Sequence, residues 1–123
     1  MRRLWIVVAL LAFGYTLFPA LPAAAGYGAM AWDKSTGKYG VSWNQPTGKR
    51  AEEVALGECG ASSCKVVGRV GPRMCGAFAT TEDGKQAGAA WRKDRETARL
   101  DALKSCAKAN ACECTVRATD CNR

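Results

Sequence analysis

Gly28-Ala29-Met30-Ala31-Trp32 is a short apolar run, Asp33-Lys34-Ser35-Thr36-Gly37 supplies turn residues, and Lys38 to Trp43 is a second extended run. This pattern predicts a β-hairpin with a loop of about five residues. Gly28 and Gly40, inside or beside the strands, predict bulges or close backbone approach. Asn44-Gln45-Pro46 stops the second strand, and Thr47 is the expected N-cap of a helix. Ala51, Val54, Ala55 and Cys59 follow at i, i+3, i+4 and i+8, one face of a 3.6-residue period. That face carries small side chains, so the helix must sit close to a sheet. Gly60 supplies the position after the helix, Cys64 to Val67 reads as a strand, and Gly68 to Arg73 as a loop.

The pattern then starts again. Cys75 to Thr80 predicts a strand, Glu82-Asp83-Gly84-Lys85 a turn, Gln86 to Trp91 the return strand, and Asp94 a second N-cap. Gly88 and Trp91 match Gly40 and Trp43 at a spacing of 48. Ala98, Ala102, Leu103 and Cys106 repeat Ala51, Ala55, Leu56 and Cys59, and Cys114 to Ala118 repeats the strand that begins at Cys64. The expected fold is therefore α+β: a β-β-α-β unit used twice in one domain over residues 26–123. Repeat one covers about residues 27–70 and repeat two about 75–121. An antiparallel or mixed sheet would carry the two helices on one face with pseudo-twofold symmetry. Two copies are too few for a solenoid.

Residues 1–25 have a different grammar. Arg2 and Arg3 precede an apolar run from Leu4 to Phe18, Pro19 and Pro22 break it, and Ala23-Ala24-Ala25 offers a small-residue cleavage site. This is the pattern of a secretory signal peptide cut after Ala25. The run is shorter than the roughly 20 residues that a membrane-spanning helix needs. The expected location of the mature chain is periplasmic or secreted, with no transmembrane segment.

Without Arg2 and Arg3, 16 basic residues stand against 11 acidic ones, a net charge of +5. The surplus is scattered and interleaved with Glu52, Glu53, Asp94 and Glu96, which argues against a dedicated or sequence-specific nucleic-acid binder. All seven cysteines lie beyond residue 25, the density of a disulfide scaffold compensating for a small core. Equivalent places in the two halves favour equivalent local bridges: Cys59 with Cys64, and Cys106 with Cys114 or Cys112. Cys112 has no counterpart in the first half, so it is the residue left over, giving Cys106–Cys114. Cys75 and Cys121 remain to tie the start of the second unit to the chain end. A free Cys112 would also offer a link between two molecules.

There is no histidine, which removes Ser-His-Asp and Cys-His nucleophile systems and every His-containing metal site. The cysteines lack paired C-x₂-C knuckles, so no metal site is expected, and no cofactor-binding fingerprint occurs. Cys112-Glu113-Cys114 lacks the two-residue spacer of a redox dithiol. Glu52-Glu53, Glu58 and Glu82-Asp83 have no apolar setting that would raise the pKa of a general acid. Trp32, Trp43 and Trp91 are expected to pack against the Ala-rich helices. Exposed instead, Trp43 and Trp91 with Arg92 and Arg95 would make the best contact patch.

The chain resembles the DUF4189 family of small bacterial exported proteins over Tyr27 to Cys121. The resemblance rests on Gly28-Ala29-Met30-Ala31-Trp32, Cys75-Gly76-Ala77-Phe78-Ala79, Gly88-Ala89-Ala90-Trp91, and the Ala-Leu-x-x-Cys helix ends at Ala55 to Cys59 and Ala102 to Cys106. It implies an envelope or secreted location and no particular activity; Cys112 departs from the family's six-cysteine pattern. The leading functional expectation is a non-enzymatic module that binds a protein or envelope component, as an inhibitor or immunity protein does. An envelope-glycan enzyme acting through carboxylates, and a binder of anionic polymers through the basic surplus, are the alternatives.

Overall fold

The computed structural model describes residues 26–108 and 113–123. Its elements are β1 (Tyr27–Trp32), β2 (Tyr39–Gln45), α1 (Gly48–Cys59), β3 (Lys65–Val70), β4 (Cys75–Thr81), β5 (Ala87–Arg92), α2 (Arg95–Ala107) and β6 (Cys114–Cys121). The order is β-β-α-β twice, an internally duplicated α+β fold. Both helices start where a side chain caps them: Thr47 accepts from the Arg50 amide and Asp94 from the Thr97 amide. Gly60 closes α1 in the left-handed conformation, its amide bonded to the Leu56 carbonyl.

Where the sequence suggests one sheet with both helices on one face, there are two three-stranded sheets, ordered β2-β1-β3 and β5-β4-β6. All strand pairs are antiparallel. The reason is the alternation along the two central strands. Ala29 and Ala31 of β1 pack with Ala51, Ala55 and Cys59 of α1. Ala77 and Ala79 of β4 pack in the same way with Ala98, Ala102 and Cys106 of α2. The large residues point the other way, and Met30, Phe78 and Val70 form a third buried cluster shared by the two sheets. Each sheet thus presents a small face to its own helix and a large face to the other sheet. The layers run α1, first sheet, second sheet, α2.

This also corrects the expected position of the tryptophans. Trp32 and Trp43 pack into the inter-sheet cluster and not against the helices. Trp43 follows Val41 on the face of β2 that turns away from α1, because Gly40 and Ser42 take the other face. The helices come so near that only glycine fits beneath them. A β-carbon at Gly40 would lie 2.2 Å from the Ala55 carbonyl oxygen, and one at Gly88 2.3 Å from that of Ala102. Gly28, by contrast, sits at a bulge between β1 and β2; the Ala29 amide freed there donates to the buried Ser42 hydroxyl.

Bulges also recur at matching places. β3 slips one residue between the partners of Met30 and Ala31, and β6 between those of Phe78 and Ala79. The extra residues are Val67 and Arg117. Three disulfides join Cys59 to Cys64, Cys106 to Cys114, and Cys75 to Cys121. The last links directly opposed residues of β4 and β6. Cys112 lies outside the described residues. Among the described residues no helix is long and apolar enough to cross a membrane.

Candidate functional site

Duplication supplies an internal comparison, since each position in one half can be read against its partner in the other. Trp43 and Trp91 are such a pair. Trp43 is partly covered and closes over bare backbone: β-carbons added at Gly28 and Gly76 would lie 3.2 Å and 3.0 Å from its ring. Trp91 leans on Gly68 of β3 but stays 39% exposed. Beside it opens a crevice of about 230 Å³ at the edge of the inter-sheet layer, lined by Trp32, Val67, Phe78, Ala87, Gly88, Ala89 and Trp91 and, from α2, by Ser105.

The crevice has a cause in the sequence. At the positions matching Ala87 and Ala89, the first half carries Tyr39 and Val41. The Tyr39 ring centroid lies 5.3 Å from that of Phe78, so one face of the tyrosine packs on its side of the inter-sheet layer while the ring stays 38% exposed. Two alanines leave the other side open. The Trp32 indole, which walls the crevice, is held by a 2.8 Å hydrogen bond from its Nε1 to the Gly84 carbonyl.

The four residues expected as a contact patch are not brought to one face. Alternation along β5 sends Trp91 toward the other sheet and Arg92 toward α2, where Arg92 Nε pairs with Asp101 at 2.8 Å. Arg92 also donates from Nη1 to the Trp91 carbonyl, which fixes the end of the strand. Arg95 pairs with Asp120 at 3.2 Å. Arg92 and Arg95 are exposed as well, but of the four it is Trp91 that lines the crevice.

A larger cleft, about 880 Å³, lies between the β4–β5 turn and the start of β6. Thr81, Glu82, Asp83, Lys85, Gln86, Glu113, Thr115 and Arg117 line it. Its carboxylates are all exposed. The Asp83 carboxylate accepts from the Lys85 amide and the Thr81 hydroxyl, and these bonds push its pKa down. Asp94 is pushed down by its N-cap bond from the Thr97 amide. Asp33, in the first turn, falls to about 2, held chiefly by the Thr36 hydroxyl and then by Ser35. Each of these displaced carboxyls is stabilised as the anion by a turn or cap, the opposite of what a general acid requires. Among the described residues no group of three or more acidic, cysteine or histidine side chains is placed to hold a metal ion.

Two residues escape a reading by pattern alone. Arg117 has a signal, visible only when the halves are aligned through the bulge: it stands where the first half has Val67. Asn122 has none. Its side chain accepts from the Asn44 amide and donates to the carbonyls of Val70 and Gly71, so the chain end clasps the first half.

Comparison with known proteins agrees with this architecture. Rv1813c of Mycobacterium tuberculosis, an uncharacterized protein, is 44% identical over 68 residues, covering 55% of this chain and 46% of that protein. Rv1269c of the same organism is 41% identical over 66 residues, covering 54% of this chain and 51% of that protein. The chain thus spans about half the length of the curated relatives it matches. The NMR structure of Rv1813c superposes with a TM-score of 0.59 at 34% identity, covering 83% of this chain and 79% of that one. The family model for the domain of unknown function DUF4189 matches residues 27–121, and the chain belongs to that family.

Proposed function

We propose that this chain is an exported, non-enzymatic binding module that holds a protein partner at the Trp91 crevice. One observation carries the reading: a half-exposed tryptophan stands over a crevice lined by Trp32, Phe78 and two alanines, where the matching place in the other half has a partly covered Trp43 and a tyrosine packed on Phe78. Tryptophans beside small desolvated pockets are the side chains that dominate protein interfaces. The crevice is too small for most small-molecule ligands, which fill some 300–1,000 Å³, and suits one inserted apolar side chain. The backbone around it is pinned by the Trp32, Arg92 and disulfide contacts, so little ordering cost falls on binding.

What supports export is the leader-like pattern of residues 1–25 together with disulfides that form in oxidising compartments. The exposed, turn-stabilised carboxylates favour binding over glycan hydrolysis.

The test uses the first half's own residue. Ala87→Tyr should fill the crevice without disturbing the core, since Tyr39 already occupies the matching place. Partners captured from envelope and culture-supernatant fractions are repurified, and their footprint on the protein is mapped by side-chain oxidation. Protection of Trp91 that disappears in Ala87→Tyr supports the reading. Protection confined to other surfaces, or turnover of envelope glycan by the purified protein, overturns it.

A further inference from the structure

The second divergence between the halves lies at the bulge. Val67, the extra residue of β3, packs into the inter-sheet cluster. Arg117, the extra residue of β6, lines the large cleft at the β4–β5 turn. Its neighbour has changed with it, because Trp32 in the first half is matched by Thr80 in the second. An apolar pair has become a polar one. Bulges re-aim a single side chain without disturbing the rest of a sheet, and here the re-aimed side chain carries a charge.

The guanidinium is fixed but not neutralised. Arg117 Nε donates to the Thr80 hydroxyl at 2.9 Å, and Nη2 to the Thr81 carbonyl at 3.3 Å. Arg50, Arg69, Arg92, Arg95 and Arg99 each pair with a carboxylate. Among the described residues Arg73, Arg117 and Arg123 pair with none, and of these three it is Arg117 that lines the large cleft, beside Glu82, Asp83 and Glu113. Two neutral acceptors orient the planar fork and leave its remaining donors to the cleft. Such a fork is shaped for a planar oxyanion.

The opposite charges of the cleft narrow the ligand. The Asp83 carboxylate is occupied by Thr81 and Lys85, whereas Glu82 and Glu113 carry no ion pair among the described residues. Three carboxylates against Arg117 and Lys85 leave the cleft acidic by one charge, which disfavours a phosphate dianion but suits a ligand whose single carboxylate comes with an ammonium group. We infer that this cleft binds the amphoteric end of an amino acid or peptide, its carboxylate on Arg117 and its ammonium toward Glu82 and Glu113. The cleft shares no lining residue with the Trp91 crevice, so this site stands or falls separately from the partner surface.

The oxidised protein, produced from the full chain and labelled with ¹⁵N, is titrated with free lysine, the tripeptide Gly-Gly-Lys, its C-terminal amide, and inorganic phosphate. Saturable shifts at Thr81, Thr115 and the Arg117 Nε are expected for lysine, the tripeptide, or both. Tighter binding of free lysine identifies an amino-acid site, and tighter binding of the tripeptide a chain-end site. The amide should bind at least tenfold more weakly, and Arg117→Val, which installs the first half's residue, should abolish the shifts. Arg117→Gln repeats the test if the valine variant misfolds. The inference is overturned by equal binding of the amide, by tighter binding of phosphate, by unchanged binding in the variants, or by no saturable shift with any probe.

Discussion

At the scale of single residues, the tightest constraints are where α1 and α2 press on their sheets. Gly88 has the Ala102 carbonyl and the Cys106 amide at 2.3 Å from the site of a β-carbon, and both are backbone atoms that cannot swing away. Gly88→Ala should therefore displace α2 and cost about 1–3 kcal/mol, as overpacking does; urea denaturation measures it. Gly57→Ala, in α1 with nothing near its β-carbon site, should not destabilise. Asp33 makes a prediction in pH. Its carboxyl is lowered from 3.8 to about 2 by the Thr36 and Ser35 bonds. A lowered carboxyl stabilises the fold above its unfolded pKa and loses that contribution as pH falls through the folded value. Stability should therefore decline between about pH 4 and pH 2, with a smaller decline in Asp33→Asn, followed by thermal melts across that range.

At the scale of elements, the chain end acts as a clasp. Asn122 is buried and bonds to Asn44 of β2, to Val70 of β3 and to Gly71. Asn122→Ala would leave three backbone groups without that partner and should cost about 1–3 kcal/mol or more, read by denaturant unfolding. The elements were legible in the sequence through the two N-caps, the small-sided helix faces ending in cysteine, and the turn at Gly84. But β3 runs on through Gly68, Arg69 and the buried Val70, which the pattern reads as loop because Gly68 interrupts the apolar run. The layer order was not legible. Which face of a strand meets a helix and which meets a second sheet depends on how Met30 and Phe78 find each other, and that contact spans the two repeats. The site was half legible. Trp91 stands out by type, but its exposure depends on Ala87 and Ala89 being smaller than Tyr39 and Val41. Arg117 emerges only after the bulge brings Val67 into register with it.

At the scale of the whole molecule, two copies of one unit meet through their large sheet faces, and each of the three disulfides closes within one copy: Cys59–Cys64 in the first, Cys106–Cys114 and Cys75–Cys121 in the second. In a chain-entropy account the Cys75–Cys121 bridge, spanning 46 residues, should contribute about 4 kcal/mol, and Cys59–Cys64, spanning 5, about 2 kcal/mol. Paired replacement of Cys75 and Cys121 by alanine should therefore lower stability more than replacement of Cys59 and Cys64, a ranking that denaturant unfolding of the two variants reads directly. The three bridges rigidify a frame whose halves differ where function would need them to: a partly covered Trp43 against an open Trp91, a half-buried, apolar Val67 against an exposed, charged Arg117. The most direct test of the binding account is the affinity of a repurified partner for the wild-type protein, Trp91→Ala and Ala87→Tyr, measured by calorimetry with each variant's fold checked by circular dichroism. The account predicts a loss of about 30-fold or more for both folded variants, the effect of removing an interface hot spot of about 2 kcal/mol. Affinities within about threefold of wild type for both would contradict it.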